Sequence, residues 1–91
     1  MTLNTEKLVS LLGTEEAAQR FVEMFQQQWP EQLAALKQAL KDEDWENASN
    51  TAHSLKSQCR YLGLDNLADI LQNIENQPDS SHDLSLFPPV F

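Results

Sequence analysis

TAHSLKSQCRYLG, residues 51–63, carries apolar side chains at Ala52, Leu55, Cys59 and Leu62 and polar ones between them. Steps of three and four are the period of an α-helix with one buried face. Extending backwards, the stripe takes in Ala48 and Trp45, and Asp44 stands where an N-cap is needed. Gly63 follows as a C-terminal stop. The helix is therefore read from Trp45 to about Leu62. At about 100° per residue, His53 lies about 130° from the centre of the stripe and faces outward. Ser49, Asn50, Lys56, Ser57 and Arg60 share its face.

The flanking sequence repeats the helical period. Asn4 and Glu6 open a short first helix, with Leu3 and Leu8 at the positions of a hydrophobic staple. Leu8, Leu11 and Leu12 share its inner face, and Gly13 ends it. Thr14 caps the next helix, with Glu15 and Glu16 in its first turn. Its stripe runs from Ala18 through Phe21, Phe25, Trp29, Leu33 and Leu36 to Leu40. The stripe keeps its phase across Pro30, which favours a kinked continuous helix over two helices broken at Trp29. Asp65 is read as the cap of a last helix, with Leu67, Leu71 and Ile74 inward. After Gln77 the pattern breaks into a proline-interrupted apolar tail ending LSLFPPVF. Trp29 and Trp45 mark helix junctions and are expected to cover the ends of the core.

These elements predict an all-α fold, an antiparallel helical bundle in one domain over 1–91, with its core in 14–77 and an irregular tail at 78–91. With 14 acidic and 6 basic side chains, the net charge is −8. Such a surface repels nucleic acid and anionic membranes, so neither is an expected partner. No apolar run is long enough to span a bilayer. The N-terminus lacks the charge pattern of a signal peptide. A lone cysteine, Cys59, forms no internal disulfide, and its place on the stripe makes it a core residue. The expected location is cytoplasmic. His82 stands beside Asp83 without the spacing of a metal site, and no metal ligands are assigned.

Two of the six basic residues flank the outward histidine. Cations there would stabilise an anion attached to the imidazole, and the set suits a histidine that accepts a phosphoryl group. A solvated histidine on a polar face is the alternative on spacing alone.

AHSLKSQCRYLG resembles the signature of histidine-containing phosphotransfer (HPt) domains. That signature places Leu two, Lys three, a small residue four and Gly ten residues after the histidine; here these are Leu55, Lys56, Ser57 and Gly63. The upstream FVEMFQQQWPEQLAALKQALKDEDWENASN and the downstream LGLDNLADILQNIE resemble the helices on either side, so the resemblance covers roughly 8–77. It implies a phosphorelay carrier: His53 takes a phosphoryl group from a receiver-domain aspartate and passes it to another. It implies no autonomous kinase or hydrolase activity. Lys56 would stabilise the phosphoryl group, while Ser49, Asn50, Ser57 and Arg60 would form the docking face. The partners would be response-regulator receivers or a hybrid sensor kinase. The chain itself would need no cofactor, magnesium being held by the receiver. A non-phosphorylated interaction module on the same scaffold is the rival reading.

Three departures accompany the resemblance. Ser57 replaces the commoner glycine. Gln58 and Arg60 stand where small residues are frequent, and Arg60 would either clash with a receiver or add a second cation. The usual last core helix is missing or replaced by the tail. Leu84, Leu86, Phe87, Val90 and Phe91 give that tail enough apolar area to favour a monomer over a homodimer that completes each bundle in trans.

Overall fold

The computed structural model describes residues 5–91. Four helices follow one another: α1 (Glu6–Leu12), α2 (Glu15–Lys41), α3 (Trp45–Tyr61) and α4 (Asp65–Asn76). At 1.5 Å per residue the 27 residues of α2 span about 40 Å, matching the long axis of a 40 × 22 × 20 Å molecule. Against this rod pack α1 and α3, and α4 folds back along α3. The fold is an all-α helical bundle, as expected.

Local signals set most boundaries. Thr14 Oγ1 accepts the Ala17 N–H at 3.1 Å, and Asp44 Oδ1 accepts the Asn47 N–H at 3.4 Å; both N-caps are as read. Gly13 ends α1 with φ 88°. At the end of α3, Gly63 takes φ 73°. Its N–H bonds the Arg60 carbonyl at 3.2 Å, and the Leu64 N–H bonds the Cys59 carbonyl at 2.8 Å. This paired return, with a left-handed residue at its centre, is a Schellman motif. The buried Leu64 side chain then starts α4 directly. The same pattern closes α2, where Glu43 adopts φ 57° and the Asp44 N–H reaches the Ala39 carbonyl at 2.9 Å.

The stripe on α3 is lined by Ala48, Ala52, Leu55 and Cys59, each fully buried. Three of the four are small, which lets α3 lie close to both α2 and α4. Burial pushes the Cys59 thiol up to about 12, so it stays protonated and inert. α2 runs unbroken through Pro30, which settles the choice between one helix and two.

Several expectations need correction. Asn4 and Leu3, read as cap and staple, lie outside the described residues. Thr5 precedes α1 without a side-chain cap. Only Leu8 of the expected α1 face is buried, while Leu11 and Leu12 are exposed, because a helix of two turns rests one line of contact on α2. Phe21 is half-buried, edge-on to Tyr61 at 6.2 Å, and Val22 takes the inner position. Asp65 is the first residue of α4 rather than its cap; Leu64 is the cap and makes no side-chain bond. Trp45 is exposed at the start of α3. Trp29 lies inside the core rather than at its end.

Beyond α4 the chain forms turns without a further helix. Phe87 is buried, and Leu84 and Phe91 pack on the core. Phe91 sits 5.0 Å from Phe25 and 4.9 Å from Trp29, ring centre to ring centre. The Trp29 indole Nε1 donates to the Pro88 carbonyl at 2.7 Å. The tail thus closes the core over Phe25 and Trp29.

Candidate functional site

His53 stands in the middle of α3 with its side chain 61% exposed, on the face the helical wheel indicates. Its ring is nonetheless held. Nδ1 lies 2.8 Å from Oε2 of Glu75 on α4. The other oxygen of that carboxylate, Oε1, accepts from Lys56 Nζ at 2.6 Å. Lys56 also donates to Gln72 Oε1 at 3.0 Å, and its side chain is only 14% exposed. One carboxylate therefore joins the histidine and the lysine that the sequence places one helical turn apart.

The electrostatics follow from this bridge. The Lys56 hydrogen bond holds the Glu75 carboxyl below its usual range, the His53 hydrogen bond adds to this, and partial burial opposes both. Glu75 is then an acceptor only, so Nδ1 must carry the hydrogen that it donates. In the neutral ring that tautomer leaves a lone pair on Nε2, and no described group bonds Nε2. The arrangement can present an oriented nitrogen nucleophile to solvent.

The remaining site residues divide. Asn50 is exposed. Ser57 is half-buried and returns its hydroxyl to the His53 carbonyl at 3.2 Å. Arg60 is not a free cation beside the histidine: its Nη2 lies 3.6 Å from Asp69 Oδ1. Ser49 is turned toward α4, where its hydroxyl bonds the Glu75 carbonyl at 2.8 Å, so it fixes the helix that carries Glu75. Lys56 likewise is engaged with α4 rather than free.

Glu75, Gln72 and Asp69 are the residues that the sequence reading missed. A signal for them exists. In an antiparallel hairpin with a minimal turn, residues equally far from the turn face each other. Lys56 and Gln72 stand eight positions on either side of Leu64, and His53 and Glu75 stand eleven. Pairing the helices through Gly63 and Leu64 would have brought the carboxylate to the imidazole.

Toward α2 the surface changes character. Gln58 donates to Gln32 at 3.3 Å and to Ser54 at 3.4 Å. Phe21, Met24, Phe25, Gln28 and Gln58 line a shallow hollow there. Among the described residues no three His, Cys, Asp or Glu side chains gather as a metal site, and no helix is long and apolar enough to cross a membrane.

Compared with known families, the chain matches the model described as Hpt domain over residues 20–88, well over half of its 91 residues. No curated protein and no solved structure matches it.

Proposed function

Because the chain belongs to the Hpt domain family, we propose that it is a phosphorelay carrier, with His53 accepting a phosphoryl group from a receiver-domain aspartate and passing it to another. The family is one of phosphoryl carriers in two-component signalling without catalytic activity of their own. The observation that carries the reading is His53 itself: an exposed imidazole whose Nδ1 is anchored by Glu75 and whose Nε2 is open.

In transfer, the Nε2 lone pair attacks the phosphorus of an aspartyl phosphate in line, and the aspartate leaves as a carboxylate. Pre-orientation of the ring lowers the entropic part of the barrier. An ammonium has three donors, and Lys56 spends two on Gln72 and Glu75. The third remains for a phosphoryl oxygen. Asn50, Ser57 and Arg60 border the docking face, and the receiver brings the acceptor aspartate and its magnesium. The partners are response-regulator receivers or a hybrid sensor kinase, the location is cytoplasmic, and the chain works as a monomeric single domain closed by its own tail.

The test mixes the protein with receiver domains phosphorylated on aspartate and looks for acid-labile, alkali-stable phosphate on this chain. Transfer is expected in the wild type and is lost in His53→Gln. No transfer from any cognate receiver, or undiminished transfer to His53→Gln, leaves the non-phosphorylated interaction module as the better reading.

A further inference from the structure

Nucleophilic attack by a neutral imidazole creates a positive ring. When Nε2 bonds phosphorus while Nδ1 keeps its hydrogen, the product is a phosphoimidazolium. That cation must be stabilised or must shed its Nδ1 proton. Shedding the proton gives neutral phosphohistidine, whose N–P bond is harder to break because the leaving imidazole would be an anion. The protonation state of Nδ1 therefore sets how easily the phosphoryl group moves on.

The group that meets Nδ1 is the Glu75 carboxylate, 2.8 Å away and half-buried between α3 and α4. The charged groups around it are few. Lys56 of α3 holds its other oxygen at 2.6 Å. Arg60 and Asp69 pair with each other farther along the hairpin. The hydrogen-bonded groups on the α2 side, Gln32 and Gln58, are neutral. Glu75 is therefore the anion in direct contact with the ring, and Lys56 keeps it ionised.

We infer that Glu75 balances the positive charge His53 acquires on phosphorylation, holds the Nδ1 proton in place and so keeps the phosphoryl group labile; this rests on the carrier reading of His53. In the forward step the Nε2–P bond forms, the aspartyl O–P bond breaks, and the hydrogen stays on Nδ1, donated to Glu75. In the onward step an acceptor carboxylate attacks phosphorus, and the N–P electron pair returns to Nε2. The ring is again neutral with hydrogen on Nδ1, and no proton is exchanged with solvent in either direction. Glu75 is a positioning residue that acts through the imidazole, and it favours a carrier that discharges quickly over one that stores phosphate.

An opposite charge at this distance favours the charged form by one or more pKa units, so removing it should cut the protonated fraction of phosphohistidine by about tenfold on the alkaline side of its titration and by less near its midpoint. Phosphorylation with potassium phosphoramidate tests this without any receiver. Decay of phosphate on His53 would be followed from acid to alkaline pH in the wild type, Glu75→Gln and Glu75→Asp. On the alkaline side of this titration the Glu75→Gln phosphoprotein is expected to survive about tenfold longer, with its acid-labile limb shifted to lower pH; Glu75→Asp, which keeps the charge, should stay near wild type. Superimposable decay profiles of wild type and Glu75→Gln would overturn the inference while leaving His53 a carrier. Absence of phosphate on His53 from both phosphoramidate and receivers would instead remove the carrier reading. The unphosphorylated protein offers a second measurement. Nitrogen NMR of the neutral His53 ring should place the hydrogen on Nδ1 in the wild type and move it toward Nε2 in Glu75→Ala. Hydrogen on Nε2 in the wild type would overturn the inference directly.

Discussion

Glu75 links the site to the stability of the fold. Its carboxyl is held low first by the Lys56 hydrogen bond and then by that of His53, against partial burial. A group whose folded-state pKa lies below its unfolded one stabilises the fold above the unfolded value, about 4.3 for glutamate. That contribution disappears as pH falls through the lower folded value. Glu75→Gln should therefore melt below wild type at neutral pH, and the gap should narrow as the pH is taken down through the carboxylate range. Thermal melts at neutral pH and near pH 3 check this; a gap that does not change with pH would refute it. The same residue marks the limit of legibility at this scale. His53 and Lys56 could be placed on one face because both lie on α3, and a helical wheel needs no tertiary knowledge. Glu75 and Asp69 lie across a turn, and their pairing depends on how α4 meets α3. Without that register Lys56 and Arg60 looked like two free cations.

Among the elements, α2 carries the boldest local contradiction. Pro30 removes one backbone donor from a 27-residue helix that continues regardless. The anchors on either side explain why: Trp29 and Leu33 are both buried, so breaking the helix would pull core side chains of α2 out of the bundle. The helix tolerates proline at a cost of up to about 3 kcal/mol relative to alanine, offset in part by the stiffer unfolded chain. Pro30→Ala is expected to stabilise the protein by about 1–2 kcal/mol, seen as a higher urea midpoint at unchanged slope. A lower midpoint would show that the proline is fitted to its neighbours. The phase of the apolar stripe made this continuity readable, and the glycine and Thr14 signals gave the ends of α1 and α2. The stripe was less exact at its extremes: Val22 displaced Phe21, and Ala39 rather than Leu40 is buried. Near helix ends the partner surface curves away, and periodicity alone does not follow it.

For the molecule as a whole, the tail was legible in composition but not in path. Its apolar residues announced that it packs somewhere; nothing in LSLFPPVF said that the Pro88 carbonyl would meet the Trp29 indole. Burial of one phenylalanine is worth about 1.5–3 kcal/mol, and both Phe87 and Phe91 lie on Phe25 or Trp29. Ending the chain at Gln77 should therefore cost several kcal/mol and strip the cover from Phe25 and Trp29. Light scattering and thermal melts are expected to show a stable monomer for the full chain at low micromolar concentration, and a dimer or a much less stable monomer for the shortened one. A shortened chain that stays monomeric with an unchanged melt would mean the tail closes nothing.

The turn at Gly63 and Leu64 has a consequence beyond folding. It is a ruler. Each residue between α3 and α4 fixes which side chains of the two helices meet, and one added residue would slide α4 by about 1.5 Å and rotate it by about 100°. Such an insertion would carry the carboxylate off the imidazole without touching a single residue of the site. Loops on protein surfaces usually tolerate changes of length. Here the spacing between two helices decides which side chains touch, and the three residues Leu62, Gly63 and Leu64 are as much a part of the His53, Lys56 and Glu75 cluster as the groups they bring together.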